Sequence, residues 1–309
     1  MFAVVFPGQG SQYIGMGKDF FENFEKVKDF FNKAEKLTNI PIKKLCFEGP
    51  LEELTQTKNL QVCLTLINVV CYEVLKEFLE EKKINLSYVA GHSLGEFSAL
   101  YVSEVLSFED TFIAVKERGK LMEEEGKKGF STMYAIIGLP LEDLKNLLKY
   151  EKEVTISNYN SPKQFVISGK IPEIDKIAQR AKELGAKTVK LKVSAGFHSP
   201  LMKSAEEKFS QILEKLTWKN AKIPFVSNIS GREEIEGSVI RELMKKQIVS
   251  SVRWIECINY MYNKGVRIFI EIGPKRVLSG LISQILEGKE YKIYNIENSE
   301  SLENFIKNF

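Results

Sequence analysis

Gly91-His-Ser-Leu-Gly-Glu96 is the stretch around which the chain is organised. An apolar run ends just before it at residue 90, and residues 97–102 have the composition of a helix. In a strand–turn–helix with Gly-x-Ser-x-Gly at the turn, the glycines permit close packing and the serine is held strained and exposed. The hydroxyl of Ser93 would lie at the helix N-terminus, where the N–H of Leu94 points at any oxyanion formed there. The pattern predicts a nucleophilic serine, and an ordinary turn is the plain alternative.

The composition is that of an ordinary soluble globular protein. A chain of 309 residues can form one large domain or a domain that carries an insertion. A net charge of +3, from 44 basic and 41 acidic residues, argues against a dedicated nucleic-acid binder but allows a basic patch for an acidic partner. Four cysteines without a CxxC or histidine-containing pattern indicate reduced thiols in a cytoplasmic protein and no metal site. The N-terminal residues carry no evident targeting signal.

A glycine-rich loop, Gly8-Gln-Gly-Ser-Gln12, follows the first predicted strand, and a helical pattern comes after it. Dinucleotide-binding folds share this order, but the third glycine of G-x-G-x-x-G and the acidic residue about twenty positions later are missing. We expect the loop instead to place Gln9 or Gln12 and free backbone N–H groups at the carboxyl edge of a sheet. Ligands bind at that edge in open α/β sheets.

The order of predicted elements gives an α/β fold in two parts. Residues 60–80 are too few and too polar for a membrane span, so they are predicted to form a core helix. Residues 127–197 follow the order βαββαβ, which is the ferredoxin-like arrangement. In the flanking segments 1–126 and 198–309, strands and helices alternate, which predicts a mostly parallel sheet with helices on both faces.

Local signals predict where several elements begin and end. Ser107-Phe-Glu-Asp110 has the spacing of a capping box and should start a helix. Asn158-Tyr-Asn-Ser-Pro-Lys163 should be the turn between two strands of the insertion. Ser199 and Pro200 resemble the N-cap and first residue of a helix that runs to residue 216.

Two further side chains are candidates for chemistry. Arg118 lies beside the apolar stripe of the helix that starts at Ser107. It should therefore be at least half buried, and it needs an anionic partner. An internal salt bridge is the plain explanation. A lone histidine at a helix start is usually structural, but Ser93 needs a base with a pKa near neutrality. His198 is the only imidazole free to serve, because His92 adjoins the serine and should point away.

The sequence resembles the malonyl-CoA:acyl carrier protein transacylases over essentially its whole length. The motifs that carry the resemblance are Phe6-Pro-Gly-Gln-Gly-Ser-Gln12, Gly91-His-Ser-Leu-Gly-Glu96, Lys116-Glu-Arg-Gly-Lys120, Asn160-Ser-Pro-Lys-Gln164 with Val166-Ile-Ser-Gly169, Gly196-Phe-His-Ser199, Gln247-Ile-Val-Ser-Ser-Val-Arg-Trp254 and Glu271-Ile-Gly-Pro274. The resemblance implies a hydrolase-like large α/β subdomain that carries a ferredoxin-like (βαββαβ) small subdomain.

The resemblance also implies a role for each candidate residue. Ser93 would attack the malonyl thioester while His198 accepts its proton. The Leu94 N–H and the Gln9 loop would form the oxyanion hole. Arg118 would bind the free malonyl carboxylate bidentately, in place of an internal salt bridge.

Three more positions are implied to complete the pocket. A backbone carbonyl near Gln247 would orient the histidine, and Asn160 and Phe197 would lie beside it. A serine hydrolase of this fold has an acid between serine and histidine, but no acid in residues 94–197 stands out, since those present are expected in solvated helices or the insertion. Phe197 is typical of malonyl-selective members, so malonyl is favoured and methylmalonyl is the nearest competitor.

The implied partners are malonyl-CoA and the phosphopantetheine thiol of an acidic, transiently bound acyl carrier protein that serves fatty acid synthesis. No bound cofactor, nucleic acid, membrane or oligomer is expected. Lys163, Lys275 and Arg276 lie in loops next to the motifs and are candidates for carrier-protein or CoA contact, with plain surface charge as the alternative. A catalytically silent module that binds the carrier protein is the competing class of function.

Overall fold

The computed structural model describes residues 1–308. The strands are β1 (Phe2–Phe6), β2 (Leu86–Gly91), β3 (Ser131–Ile137), β4 (Val154–Ser161), β5 (Gln164–Lys170), β6 (Lys187–Lys190), β7 (Phe225–Val226), β8 (Glu233–Glu234), β9 (Ile268–Ile272) and β10 (Lys292–Ile296). The helices are α1 (Lys18–Asn23), α2 (Glu25–Thr38), α3 (Ile42–Phe47), α4 (Leu51–Leu54), α5 (Thr57–Glu81), α6 (Gly95–Val102), α7 (Phe108–Gly126), α8 (Leu141–Leu148), α9 (Glu173–Glu183), α10 (Lys203–Leu213), α11 (Gly237–Lys246), α12 (Trp254–Asn263), α13 (Val277–Ile285) and α14 (Ser299–Asn308).

The larger sheet has six strands in the order β10-β9-β1-β2-β7-β8. Its strand pairs are parallel from β10 to β7, and β8 is antiparallel to β7. Val4 and Phe6 pack into one hydrophobic core, whereas Ala3 and Val5 pack into a second core on the opposite face. A parallel strand that buries both faces needs helices on both sides, which explains why β1 is apolar throughout. The prediction of a mostly parallel sheet covered on both faces is confirmed.

The smaller sheet has four antiparallel strands in the order β4-β5-β3-β6. With α8 and α9 as its helices, the chain order is βαββαβ, as the sequence predicted for the insertion. This sheet occupies residues 131–190, inside the predicted small subdomain of residues 127–197. The division into 1–126, 127–197 and 198–309 remains a prediction, because the segment just before α12 also pairs with β4 of the smaller sheet. Val252 donates to the Ser157 carbonyl and accepts from the Tyr159 N–H.

Two predicted boundaries were wrong. The turn expected over residues 158–163 is much shorter, because β4 continues to Ser161 and β5 starts at Gln164. Tyr159 packs edge-on against Phe165 with ring centroids 6.1 Å apart, and this cross-strand pair outweighs the low strand propensity of the neighbouring asparagines.

The helix expected from Ser199 to residue 216 begins instead with a short 3₁₀ turn at Pro200–Met202, and α10 ends at Leu213. The Ser199 hydroxyl caps no helix, since it donates to the Gly196 carbonyl. The Ser107 cap, in contrast, is confirmed: its hydroxyl accepts from the Asp110 N–H at 3.0 Å.

The packing of β2 against α6 depends on two glycines. A Cβ atom on Gly91 would lie 1.9 Å from the carbonyl carbon of Gly95, and one on Gly95 would lie 2.1 Å from the carbonyl oxygen of Phe6. Both distances are far inside van der Waals contact, so no other residue fits without backbone movement. The predicted close approach of strand and helix is confirmed. Within residues 1–308, no helix has the length and apolar character needed to cross a membrane.

Candidate active site

Ser93 and His198 meet at the carboxyl edge of the larger sheet. Ser93 follows β2 with a φ of 52°, a left-handed conformation that a non-glycine residue adopts only under constraint. His198 also has a positive φ, 55°, and its Nε2 lies 2.7 Å from the Ser93 Oγ. Because this distance is a short hydrogen bond, the two side chains are placed for proton transfer. The structure thus brings together the two residues expected to be nucleophile and base.

The ring of His198 is fixed from behind by two backbone carbonyls. Its Nδ1 lies 3.0 Å from the Gln247 carbonyl and 3.1 Å from that of Ser250, so Nδ1 carries a proton and Nε2 is left as the acceptor. Burial and the charge of Arg118 lower the pKa of His198 to about 3. The imidazole is therefore neutral at neutral pH with its Nε2 lone pair toward Ser93, and its pKa lies below the near-neutral value that the sequence analysis expected, because the ring is buried beside a cation.

The second histidine lies in the same region but has other contacts. His92 Nε2 is 2.8 Å from the Asn160 Oδ1, and its ring packs edge-on against Trp254. Its ring contacts are thus with Asn160 and Trp254, as expected of a histidine that points away from the serine. Asn160 belongs to β4 of the smaller sheet, so this hydrogen bond also joins that sheet to the turn after β2.

Arg118 is 1% exposed and lies directly beside the serine. Its Nη2 is 3.3 Å from the Ser93 Oγ, and its other hydrogen bonds go to amide oxygens. The Gln247 Oε1 accepts from Nε at 3.1 Å and Nη2 at 2.8 Å, while the Gln61 Oε1 accepts from Nη1 at 2.8 Å. Burial lowers the pKa of Arg118 to about 9, which still leaves the guanidinium cationic at neutral pH.

These contacts do not form the internal salt bridge that was the plain explanation for Arg118. Each hydrogen bond from the guanidinium goes to a neutral oxygen. Of five N–H groups, one on Nη1 has no hydrogen-bond partner within residues 1–308, and one on Nη2 makes only the long contact with Ser93. A guanidinium with one N–H directed at Ser93 and another without a partner in the described residues can bind a carboxylate.

Sequence reasoning was wrong about the acidic residues between serine and histidine. Glu96 is fully buried, only three residues after Ser93, and belongs to the site. Its Oε2 accepts from the Gln247 Nε2 at 2.8 Å, and its Oε1 accepts from the Asn228 N–H at 2.7 Å. Burial raises the pKa of Glu96 to about 7. The residue does not orient His198, which distinguishes this site from a serine–histidine–acid triad.

Asn228 is another residue of the site that the sequence analysis missed. Its Oδ1 accepts from the Ser93 N–H at 2.8 Å, and its Nδ2 donates to the Gly91 carbonyl at 2.7 Å. The side chain thus holds both sides of the serine turn. The signal was its position two residues after β7, at the carboxyl edge of a parallel sheet, where functional side chains collect.

A cavity of about 230 Å³ opens above the serine. Gln9, Leu94 and Phe197 line it, together with residues of the smaller sheet and of α7 and α13. The glycine-rich loop that carries Gln9 packs onto the serine turn, since a Cβ on Gly8 would lie 2.4 Å from the His92 carbonyl oxygen. This glycine serves close packing between two loops and not the binding of a dinucleotide.

The three basic candidates for partner contact are exposed. Lys163 forms a solvent-exposed ion pair with Glu287 at 2.9 Å. Lys275 has a φ of 64°, and its backbone N–H donates to Glu297. Arg276 precedes α13, whose residues Val277, Leu278 and Leu281 line the cavity. Lys275 and Arg276 are therefore close in sequence to the residues that form the cavity wall.

A family model and two relatives of similar sequence agree on the kind of enzyme that this chain resembles. A family model described as acyl transferase domain matches residues 3–308. A malonyl CoA-acyl carrier protein transacylase of Bacillus subtilis (strain 168) is 40% identical over 306 residues, which are 97% of this chain and 95% of that protein. One from Staphylococcus aureus (strain MSSA476) is 36% identical over 311 residues, 99% of this chain and 98% of that protein.

Solved structures agree with these relatives. The malonyl CoA-acyl carrier protein transacylase of Clostridium perfringens has a TM-score of 0.92 at 34% identity, covering 99% of this chain and 96% of its own. A malonyl-transacylase in complex with its type II PKS acyl-carrier protein has a TM-score of 0.93 at 35% identity, covering 100% of this chain and 99% of its own. With the same two-part α/β fold and a family match over nearly its entire length, the chain belongs to the acyl transferase family of enzymes.

Proposed function

We propose that this enzyme transfers the malonyl group of malonyl-CoA to the phosphopantetheine thiol of an acyl carrier protein, through a malonyl ester of Ser93, and so supplies fatty acid synthesis. One observation carries the proposal: the Ser93 Oγ lies between the His198 Nε2 at 2.7 Å and the Arg118 Nη2 at 3.3 Å. A serine with a base on one side and a buried cation on the other suits an acyl group that ends in a carboxylate.

In the first half-reaction the Ser93 Oγ attacks the thioester carbonyl, and its proton passes to the His198 Nε2. The N–H of Leu94 and the Gln9 loop stabilise the oxyanion of the tetrahedral intermediate. The carbon–sulfur bond then breaks, and His198 gives the proton to the departing CoA thiol. The products are CoA and a malonyl ester on Ser93.

In the second half-reaction the thiol of the carrier protein occupies the place that CoA has left. His198 accepts the thiol proton while the sulfur attacks the ester carbonyl. The carbon–Oγ bond breaks, and the proton returns to Ser93. This ping-pong scheme uses one base twice and needs no acid–histidine pair, because two backbone carbonyls already fix the imidazole.

Arg118 selects the acyl group in this scheme. The Nη2 N–H that contacts Ser93 and the Nη1 N–H without a partner in residues 1–308 could together bind a malonyl carboxylate bidentately, whereas an acetyl group would leave them without that acceptor. Phe197 lines the same cavity and would restrict the space for a methyl branch. Methylmalonyl is the nearest competing substrate, since one methyl group changes binding by only about 1–3 kcal/mol.

The test is intact-protein mass spectrometry after mixing with malonyl-CoA and, separately, with acetyl-CoA. We expect a malonyl adduct on the wild-type enzyme, no adduct on Ser93→Ala, and loss of the adduct when phosphopantetheinylated carrier protein is added. Acetylation at the same rate as malonylation would remove the selective role of Arg118. No adduct with either donor would favour the silent carrier-binding module.

We further propose that Lys275 and Arg276, with Lys163, steer the acidic carrier protein to the cavity. Replacing all three by glutamate should raise KM for the carrier protein while leaving acylation by malonyl-CoA unchanged. Lys292 at the start of β10 offers a matched exposed control, and Lys292→Glu should change neither. An unchanged carrier-protein KM in the triple variant would reduce these residues to ordinary surface charge.

A further inference from the structure

Glu96 is a buried acid with no part in the proton transfers above. It lies in the first turn of α6 with no solvent exposure, and both carboxylate oxygens are used. Oε1 accepts from the Asn228 N–H, and Oε2 accepts from the Gln247 Nε2. A carboxylate is costly to bury, so its retention beside the reacting serine calls for an explanation other than packing.

The amide of Gln247 connects Glu96 to the substrate side of the site. Its Nε2 donates both hydrogens, one to Glu96 at 2.8 Å and one to the Ser93 carbonyl at 2.8 Å. Its Oε1 is therefore turned toward Arg118 and accepts from Nε and Nη2. An amide with the opposite orientation would place N–H groups against the guanidinium and an oxygen against Glu96. The Glu96 carboxylate, together with the Ser93 carbonyl, thus determines which end of the amide Arg118 meets.

We propose that Glu96 is a positioning residue for malonyl transfer: its carboxylate orients the Gln247 amide, which in turn aims the Arg118 guanidinium at the acyl group on Ser93. The inference rests on the proposed function, because it concerns how the malonyl carboxylate is bound. Glu96 touches neither substrate nor His198 and acts through Gln247.

The arrangement also places an acid near Arg118 without using the hydrogen-bond donors of its guanidinium. A carboxylate in direct contact with Arg118 would take the same N–H groups that a malonyl carboxylate needs. With Gln247 between them, Glu96 places its carboxyl group near the guanidinium and leaves the Nη2 N–H that contacts Ser93 to the substrate. Gln247 therefore separates the buried carboxyl group of Glu96 from the buried guanidinium of Arg118.

Glu96→Gln is the sharpest perturbation because it keeps the shape and removes one acceptor. The two neighbours of Glu96 both donate, so a glutamine there must turn its NH₂ toward either Asn228 or Gln247. Turned toward Gln247, it favours a flipped amide that presents N–H groups to Arg118. Glu125→Gln is a matched control, since Glu125 is a buried carboxylate that pairs with Lys128, outside this network.

The experiment measures single-turnover acylation of Ser93 by malonyl-CoA and by p-nitrophenyl acetate, whose acyl group has no carboxylate. In Glu96→Gln we expect malonylation to slow by about 10- to 100-fold, the effect of one misplaced charge-assisted hydrogen bond. Acetylation should change by less than about threefold, because an acetyl group has no carboxylate for Arg118 to bind. Glu125→Gln should leave both rates near wild type.

Equal losses with both donors, or no loss with either, would overturn the proposal, because a merely structural role does not separate the two acyl groups. If Glu96→Gln does not fold, Glu96→Asp keeps the charge but shortens the side chain, and the same selective loss of malonylation is expected. The wild-type enzyme reports separately on the proposed function. If it forms no malonyl adduct, that function fails whatever Glu96 does.

Discussion

Replacing Arg118 by lysine tests the central claim about substrate selection. The substitution keeps the positive charge near Glu96 but exchanges a planar fork for a single ammonium group. In the structure, Nη1 bonds to Gln61 and Nη2 bonds to Gln247, so two different nitrogens serve two separate amide oxygens. One Nζ cannot reach both oxygens and also bind a carboxylate in bidentate fashion.

The magnitude follows from the bonds that are lost. A bidentate carboxylate contact that becomes single loses one charge-assisted hydrogen bond, about 1.5–3 kcal/mol, which is a 10- to 150-fold decrease in the rate of malonylation. The Gln61 side chain is fully buried, so leaving its Oε1 unpaired costs a further ~1–3 kcal/mol of unfolding free energy. Acylation by p-nitrophenyl acetate should stay near the wild-type rate, because Ser93 and His198 are untouched.

The assay is rapid-quench acylation followed by intact-protein mass spectrometry, with urea unfolding of the same preparation. The informative quantity is the ratio of the two acylation rates, since partial unfolding lowers both equally. If Arg118→Lys kept the wild-type ratio of malonylation to acetylation, the guanidinium would not be the carboxylate clamp, and the reasoning from its free donors would be refuted.

Three further predictions concern the fold around the site. Gly95→Ala should cost about 3 kcal/mol or abolish soluble expression, because its Cβ would lie 2.1 Å from the Phe6 carbonyl oxygen, and thermal unfolding checks this. Burial holds the pKa of folded His198 at about 3, below the ordinary 6.5, so the unfolded chain takes up the proton first as the pH falls. Relative to His198→Gln, the wild type should therefore lose about 1.5–2 kcal/mol of unfolding free energy between pH 6.5 and about pH 5, and pH-independent differences in urea titrations would contradict this. Ser107→Ala should cost about 1 kcal/mol through loss of the cap on the Asp110 N–H, whereas Ser107→Asp should not.

Much of the site could be predicted from sequence because its signals are local. The serine turn needs glycines at fixed positions, and these are visible as Gly-x-Ser-x-Gly. The capping box that starts the helix of Arg118 is a four-residue pattern, and the hydrogen bond it predicts is present. His198 followed from elimination between two histidines.

The errors came where tertiary contacts outweigh local preference. Glu96 was grouped with solvated acids, although α6 is apolar on all faces and an acid within it is necessarily buried. Gln61 was not singled out within the predicted core helix of residues 60–80, yet it is a partner of Arg118. The turn between β4 and β5 was predicted too long because asparagine and serine disfavour strands when their cross-strand partners are ignored.

The sequence by itself determined the order of elements and the strained serine, because each depends on residues that are neighbours along the chain, and the base because the chain has only two histidines. Only the tertiary structure decided how Arg118 is held and which groups it leaves free. Its partners lie 57 and 129 positions away, so no short pattern relates them. A hydrogen-bond network is fixed by donors and acceptors that meet after folding, and their pairing is a property of the packed site.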